Sequence, residues 1–277
     1  MNQDLIVNPE ELANSAEFLT KEQISKMAPS VYAMQPSSDV SDKYTHIPTE
    51  RVIDDMELLG WKPIEAKEVK ARKKSTQGFQ KHLLVFRNND VVINGVDGDT
   101  VYPQILLTNS HDGKNSFQFQ AGLYRLVCSN GLVIADEKFE DVKMRHMGYT
   151  FEDLQVKIKD MVERLPLTVE SMNTMKALEM EQEQILAFAK DALNARFTEK
   201  ELARIDIDIA ELVNPVRKED RGNDLWSVFN VVQEKLITGD FNYRVGSKAR
   251  KGREIKNFKQ DMLINKKLFN VALEYAS

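Results

Sequence analysis

Residues 106–132, LLTNSHDGKNSFQFQAGLYRLVCSNGL, decide the fold. The run is apolar and aromatic, and it is broken by two polar turns, Ser110-His111-Asp112-Gly113 and Cys128-Ser129-Asn130-Gly131. Asp or Asn followed by Gly between alternating apolar runs is a hairpin signal, because glycine reaches the positive φ that such turns require. A β-like run from Tyr102 to Thr108 therefore pairs with an alternating one through Phe117, Phe119, Ala121 and Leu123. Arg125 to Ile134 fits either strand or helix. Upstream of this hub the chain reads as sheet, and downstream it reads as helix.

Working upstream, Leu83-Leu84-Val85-Phe86 forms a strand, turned by Asn88-Asn89-Asp90. Val91-Val92-Ile93 follows, before a second turn at Asp97-Gly98-Asp99. Short strands with tight turns predict an antiparallel sheet containing a meander. Trp61 to Lys74 is predicted to be extended and is basic, with Lys67, Lys70, Arg72, Lys73 and Lys74. Pro48-Thr49-Glu50 opens a short helix with Val52, Ile53, Met56 and Leu59 on one face, stopped by Gly60. Asn8-Pro9-Glu10-Glu11 has the form of a helix entry. Pro29 to Ser41 carries the breakers of a linker. Residues 1–43 are thus read as an N-terminal arm or helix plus linker.

Downstream, Thr150 caps a helix with acids in its first turn. Apolar residues then recur at helical spacing from Leu154 to about Asn194, with Pro166 as an interruption. Further helices are expected from Thr198 to just before Asn214-Pro215, from Asp224 to Gly239, and from Asp261 onward. The expected fold is α+β: an N-terminal antiparallel β-sheet platform at 44–149, followed by a helical C-terminal part at 150–277 that packs on it and carries a basic loop at 244–259.

The 277 residues carry 38 Lys and Arg against 43 Asp and Glu, a net charge of −5 that hides an uneven distribution. A single cysteine excludes an intramolecular disulfide framework and fits a reducing compartment, with Cys128 as a small buried hydrophobe. No stretch approaches the ~20 apolar residues of a membrane span. The start, MNQDLIVNPEEL, lacks the basic and apolar regions of a signal peptide, so a cytoplasmic location is expected.

No Walker-type loop, GxGxxG or GxSxG elbow is present, and no cofactor is expected. His111-Asp112 admits a metal-dependent phosphodiester chemistry, yet the other histidines, His46, His82 and His146, show no ligand spacing. Asp before Gly also has a sufficient reason in turn geometry. Asp97-Gly98-Asp99 with Asp90 lacks the ligand pattern of a calcium loop. Asp54-Asp55 and Asp206/Asp208 are read as solvated faces of helices.

Charge concentration is the stronger signal. Arg244, Lys248, Arg250, Lys251, Arg253, Lys256 and Lys259 are set against one acid, Glu254, with Tyr243 and Phe258 flanking the run. Cations for phosphates and aromatics for bases are the usual means of holding single-stranded nucleic acid without reading its sequence. The Lys67 to Lys74 cluster, with Lys70, Arg72, Lys73 and Lys74, would form a second wall of the same groove. A solvated loop is the plain alternative for either cluster.

Asn109-Ser110-His111-Asp112-Gly113, then Phe117 and Phe119, then Leu123-Tyr124-Arg125-Leu126-Val127-Cys128-Ser129-Asn130-Gly131-Leu132, resembles the signature of the phage/plasmid-like proteins, catalogued as domain of unknown function 932. The similarity runs from about Tyr44 to the C-terminus and includes the closing pattern of basic loop and helix. What the resemblance implies is a protein of mobile elements, set beside replication and recombination genes. The expectation that follows is a non-catalytic, annealing-type protein for single-stranded DNA, with RNA as the second candidate polyanion, acting as a homo-oligomer. Asn109, Ser110, His111, Asp112, Gly113, Arg125, Cys128, Asn130 and Gly131 then shape the turns beside the groove. Two other classes stay open: a metal-dependent nuclease using His111 and Asp112, and an interaction module meeting an acidic host protein.

Overall fold

The computed structural model describes residues 18–41, 44–71, 73–94, 100–125, 132–133, 142–144, 150–218 and 220–277. Several expectations fall outside them, among them the helix entry at Asn8, the turn at Asp97-Gly98-Asp99, Arg72, His146, most of the stretch from Arg125 to Ile134, and with it the second polar turn of Cys128, Asn130 and Gly131. The fold is α+β, with an antiparallel sheet first and helices afterwards. The chain divides into two compact units, whose main segments are residues 1–94, 99–131 and 139–165 for the first and 166–277 for the second.

In the first unit, helix α1 (Lys21–Met27) and a 3-10 turn (Pro29–Tyr32) precede helix α2 (Thr49–Leu58). Strands β1 (Lys62–Glu68), β2 (His82–Arg87), β3 (Ile93–Asn94), β4 (Thr100–Asn109) and β5 (Phe117–Arg125) follow. The sheet order is β1-β2-β4-β5, all antiparallel, with β3 also pairing with β4. Every residue of β2 is buried, which explains its unbroken Leu83–Phe86 run: a strand covered on both faces cannot alternate. The predicted hairpin is present, with Leu107 opposite Phe119 and Gly113 at φ +71° in the turn. Phe117 and Phe119 pack edge to face at 5.1 Å.

Two expectations change here. Residues 18–41 are packed rather than linking, since Ile24, Ala28 and Val31 are fully buried and the Leu19 amide donates to the Pro63 carbonyl. The extended stretch ends at Glu68, and Lys74–Thr76 is a 3-10 turn. The short strands β6 (Leu132–Val133) and β7 (Val142–Met144) come next, β7 pairing with β5.

Helix α3 (Phe151–Ala177) opens as read, with the Thr150 hydroxyl accepting from the Asp153 amide, but it runs through Pro166 without a stop. The break falls instead before α4 (Gln182–Arg196), where a capping box between Glu181 and Gln184 restarts the helix. In the second unit the Thr198 cap yields only α5 (Glu199–Leu202). Strand β8 (Asp206–Ile207) and α6 (Ile209–Leu212) fill the rest of the expected helix, so Asp206 lies on a strand and Asp208 caps α6. Helix α7 (Leu225–Thr238) is buried along most of its length and is the centre of this unit. Trp226 stacks on Phe229 at 5.6 Å, and Phe229 meets Phe269 edge to face. Strands β9 (Asn242–Val245) and β10 (Lys248–Lys251) make a hairpin, and helix α8 (Phe258–Ala276) closes the chain. Among the described residues, no helix is long and apolar enough to cross a membrane.

Candidate nucleic-acid interface

The expected basic loop is a β-hairpin. Gly246 at φ +58° and Ser247 form its two-residue turn, where a residue of positive φ matches the strand twist. Register then sorts the cations. Arg250 stands opposite Tyr243 and Lys248 opposite Val245, so these four side chains share one face. Arg244 opposite Ala249, and Lys251 opposite Asn242, occupy the other.

The two faces differ in electrostatic company. Arg244 is registered with Asp206 of β8 and borders a cavity of about 530 Å³ that Asp206, Asp208, Glu211 and Tyr243 also line. Lys251 lies 3.2 Å from Asp240, which also takes Lys235 at 3.0 Å. Those two ammonium groups, Lys235 first, hold the Asp240 carboxyl below its ordinary range. Lys248 and Arg250 are exposed and make no ion pair among the described residues. On one side Lys251 is ion-paired and Arg244 stands in register with an acid, and on the other two cations share a face with Tyr243, whose ring also borders the acid-lined cavity.

The hairpin is held at its base. The Gly252 amide donates to the Phe241 carbonyl at 2.7 Å, and Ile255 donates to Ile237 at 2.9 Å. Arg196 of α4 donates to the carbonyls of Leu236 and Arg253 and lies 5.1 Å from the centre of the Phe241 ring. Burial pulls its guanidinium below the usual value. Arg253 is exposed, Lys256 lies 3.8 Å from Glu254, and Phe258 is the first residue of α8.

Lys70, Lys73 and Lys74 belong to the first unit, where all three are exposed. Nearby Lys67 is paired with Glu65. The two cationic segments therefore sit on different units.

The turn motif proves to be part of a polar core. Asn109, Ser110 and His111 are fully buried, while Asp112 at the edge accepts from the Lys114 amide. Antiparallel register places Glu68, His82 and Asn109 side by side on β1, β2 and β4. Across them runs a chain of hydrogen bonds: His46 Nε2 to His111 Nδ1 at 3.0 Å, His111 Nε2 to Thr49 Oγ1 at 3.4 Å, Thr49 Oγ1 to His82 Nε2 at 2.9 Å, and His82 Nδ1 to Ser30 Oγ at 3.0 Å. The Ser30 amide then donates to Glu68. Burial pushes the His82 ring down to about 4, against the opposing pull of the Gln80 carbonyl. Tyr44, whose hydroxyl donates to the Ser110 carbonyl, is pushed up to about 12 by burial first and Asp112 second.

His111 thus turns both ring nitrogens to neighbouring side chains. Among the described residues, no group of three His, Cys, Asp or Glu is placed to hold a metal ion. His46, Thr49, His82 and Ser30 escaped the sequence reading because they lie far apart in the chain and match no motif.

The family model described as "Domain of unknown function (DUF932)" matches residues 36–267. Two relatives from Escherichia coli (strain K12), the UPF0380 proteins YafZ and YfjQ, are each 30% identical over 255 residues, covering 92% of this chain and 90% of theirs. No solved structure matches the chain.

Proposed function

The chain belongs to the DUF932 family, a domain of unknown function, and on that premise we propose that it binds single-stranded nucleic acid without reading sequence. It does so in the cytoplasm as a homo-oligomeric, non-catalytic aid to recombination or replication in a mobile element. The observation that carries this reading is the sorting of charge on the β9–β10 hairpin. Lys248 and Arg250 are left without carboxylate partners among the described residues, and Tyr243 lies between strands on the same face. A phosphodiester backbone supplies the missing counter-charge, and an unpaired base has a π-face for the tyrosine. Exposed Lys70, Lys73 and Lys74 are a second cationic segment, carried by the first unit.

The test is a titration of fluorescent oligonucleotides of unrelated sequence at low salt, repeated as salt is raised. Binding indifferent to sequence is expected, with log affinity falling by about 0.7 per phosphate neutralised for each decade of salt. Absence of binding at low salt refutes the proposal. Neutralising the hairpin and the Lys70–Lys74 segment separately, then together, reveals whether both act on one strand.

A further inference from the structure

The alternation Ile205-Asp206-Ile207-Asp208-Ile209 is laid out on the second unit as two adjoining hollows. Successive side chains of an extended run point to opposite sides, so isoleucines and aspartates separate. The isoleucines line a cavity of about 380 Å³, where Leu193 of α4 and Leu202 of α5 complete the apolar wall. Leu193 is buried, but Leu202, Ile205, Ile207 and Ile209 are only half-buried. Asp206 and Asp208 line the 530 Å³ cavity beside Arg244, and Asp206 borders both hollows. Strand β8 is also an edge of its sheet, paired on one side only, with β9.

Charge at the acidic end is not balanced from within. Asp206, Asp208 and Glu211 face one guanidinium, that of Arg244, and none of the four makes an ion pair among the described residues. Asp208 accepts from the Ala210 amide, and Glu211 accepts from both the backbone and the side chain of Asn242, so these two carboxylates are held in place. An occupant of the whole groove must therefore combine apolar and basic groups in alternation.

The first unit carries such a run, VKARKK at 69–74. Val69 is 38% exposed, an apolar side chain that its own unit leaves in water. Lys70, Lys73 and Lys74 are exposed and make no ion pair among the described residues, whereas Lys67 is paired with Glu65. The backbone is suited to an edge: Val69 prolongs β1 by donating its amide to the Lys81 carbonyl, and Lys73 is extended at φ −128° and ψ 146°. The tetrapeptide KARK recurs at 248–251, but there it is strand β10, joined to β9, with Lys251 given to Asp240 and a serine before it in place of valine.

We propose that the 69–74 segment of one copy docks along the β8 edge of a second copy, with Val69 over the isoleucine hollow and the lysines against Asp206, Asp208 and Glu211. This assigns the surfaces of the homo-oligomer proposed above, and it rests on that part of the reading and not on nucleic acid. Each copy carries one basic segment and one acidic groove. The contact is therefore heterologous and passes from copy to copy, as a ring if the rotation closes and a filament if it does not. Exposed charge pairs contribute little singly and are screened by salt, so association is weak and is lost as ionic strength rises. Docking engages the Arg244 face of the hairpin, and Lys248 and Arg250 on the other face stay open to a polyanion.

The test is sedimentation velocity of the full chain, freed of nucleic acid, at low and high salt over a wide range of concentration. The wild type is expected to grow in mass with concentration at low salt and to return to monomer at high salt. Charge reversal in the segment, Lys70→Glu with Lys73→Glu and Lys74→Glu, should abolish the growth. So should Asp206→Lys with Asp208→Asn, a pair in which Asn still caps α6. All five positions are exposed, so neither variant disturbs a core. Mixing the two variants should restore at least dimers, since one keeps the acids and the other keeps the lysines. Growth that both variants retain, or a mixture that stays monomeric, overturns the docking and leaves a homo-oligomer standing. Growth lost only in the groove variant gives the groove to another segment, such as β10, and also overturns it. A wild type that is monomeric at every concentration in low salt overturns the docking and the homo-oligomer together.

Discussion

Gly239 and Gly252 meet backbone to backbone. A Cβ on Gly252 would run into the Gly239 carbonyl, and one on Gly239 into the backbone of Arg253. Gly239 also caps α7 at φ +76°, where its amide donates to the Lys235 carbonyl. The base of the cationic hairpin is therefore seated on the end of the central helix with no room for a side chain.

Gly252→Ala and Gly239→Ala should each destabilise the second unit by about 2–4 kcal/mol, the sum of overpacking and, at Gly239, strained φ. Gly246→Ala is the control. Its φ of +58° carries strain, but nothing lies within 4 Å of the added methyl, so a loss of about 1 kcal/mol is expected. Urea midpoints of the three variants test this order.

If the compensated and uncompensated faces of the hairpin differ in role, charge reversal must distinguish them. Lys248→Glu with Arg250→Glu should lower oligonucleotide affinity by more than tenfold and flatten the salt dependence. Arg244→Glu with Lys251→Glu should have a smaller effect, because those cations already face Asp206 and Asp240. Anisotropy titrations at two salt concentrations decide, and equal effects sink the assignment of faces.

Tyr243→Leu keeps bulk on the strand and removes a π-surface. Loss of one stacked base costs about 1–3 kcal/mol, so affinity should fall at least several-fold while the salt slope stays unchanged. A changed slope with no change in affinity contradicts stacking.

Thr49→Val is nearly isosteric and strands His82 Nε2 in a buried place, while Asn109 Nδ2 keeps only the Ile47 carbonyl. A loss of about 1–3 kcal/mol is expected for the first unit, with little effect on the second. Thermal melts followed by hydrogen exchange separate the two.

The pH dependence of stability follows from His82. Its value falls from 6.5 in the open chain to about 4 in the fold. Below 6.5 the unfolded chain takes up a proton that the folded one refuses, so stability drops as pH falls from 6.5 to about 4 and levels off beneath. The drop is about 3 kcal/mol and should shrink in His82→Gln, as measured by urea unfolding at intervals of pH.

Much of the architecture was legible because it rests on local patterns. The alternation around Phe117 and Phe119 and the turn at Gly113 declared the hairpin, and Asp224 with Gly239 bounded α7. The misreadings share a cause. Pro166 and the Pro29–Ser41 stretch carry breaker residues, but the helix continues through the first and packing buries part of the second. The basic run read as a loop because Lys248 to Lys251 has no apolar alternation, and an exposed strand needs none. The site was half visible. Composition marked the cations, whereas their division between two faces depends on pairing partners that no linear pattern reveals. The histidine chain was invisible for the same reason, since register alone brings Glu68, His82 and Asn109 into a row.

Strand parity makes the hairpin sensitive to counting in a way it is not sensitive to chemistry. Lys and Arg can replace one another at 248 and 250 with the outward pattern intact. Deleting one residue after Gly246 would swap the later side chains of β10 to the reverse surface, delivering cations to the carboxylates and Ala249 to the face that Tyr243 and Val245 share. Relatives that keep this surface should therefore tolerate exchanges among bases freely, while the number of residues between Tyr243 and Arg250 stays fixed.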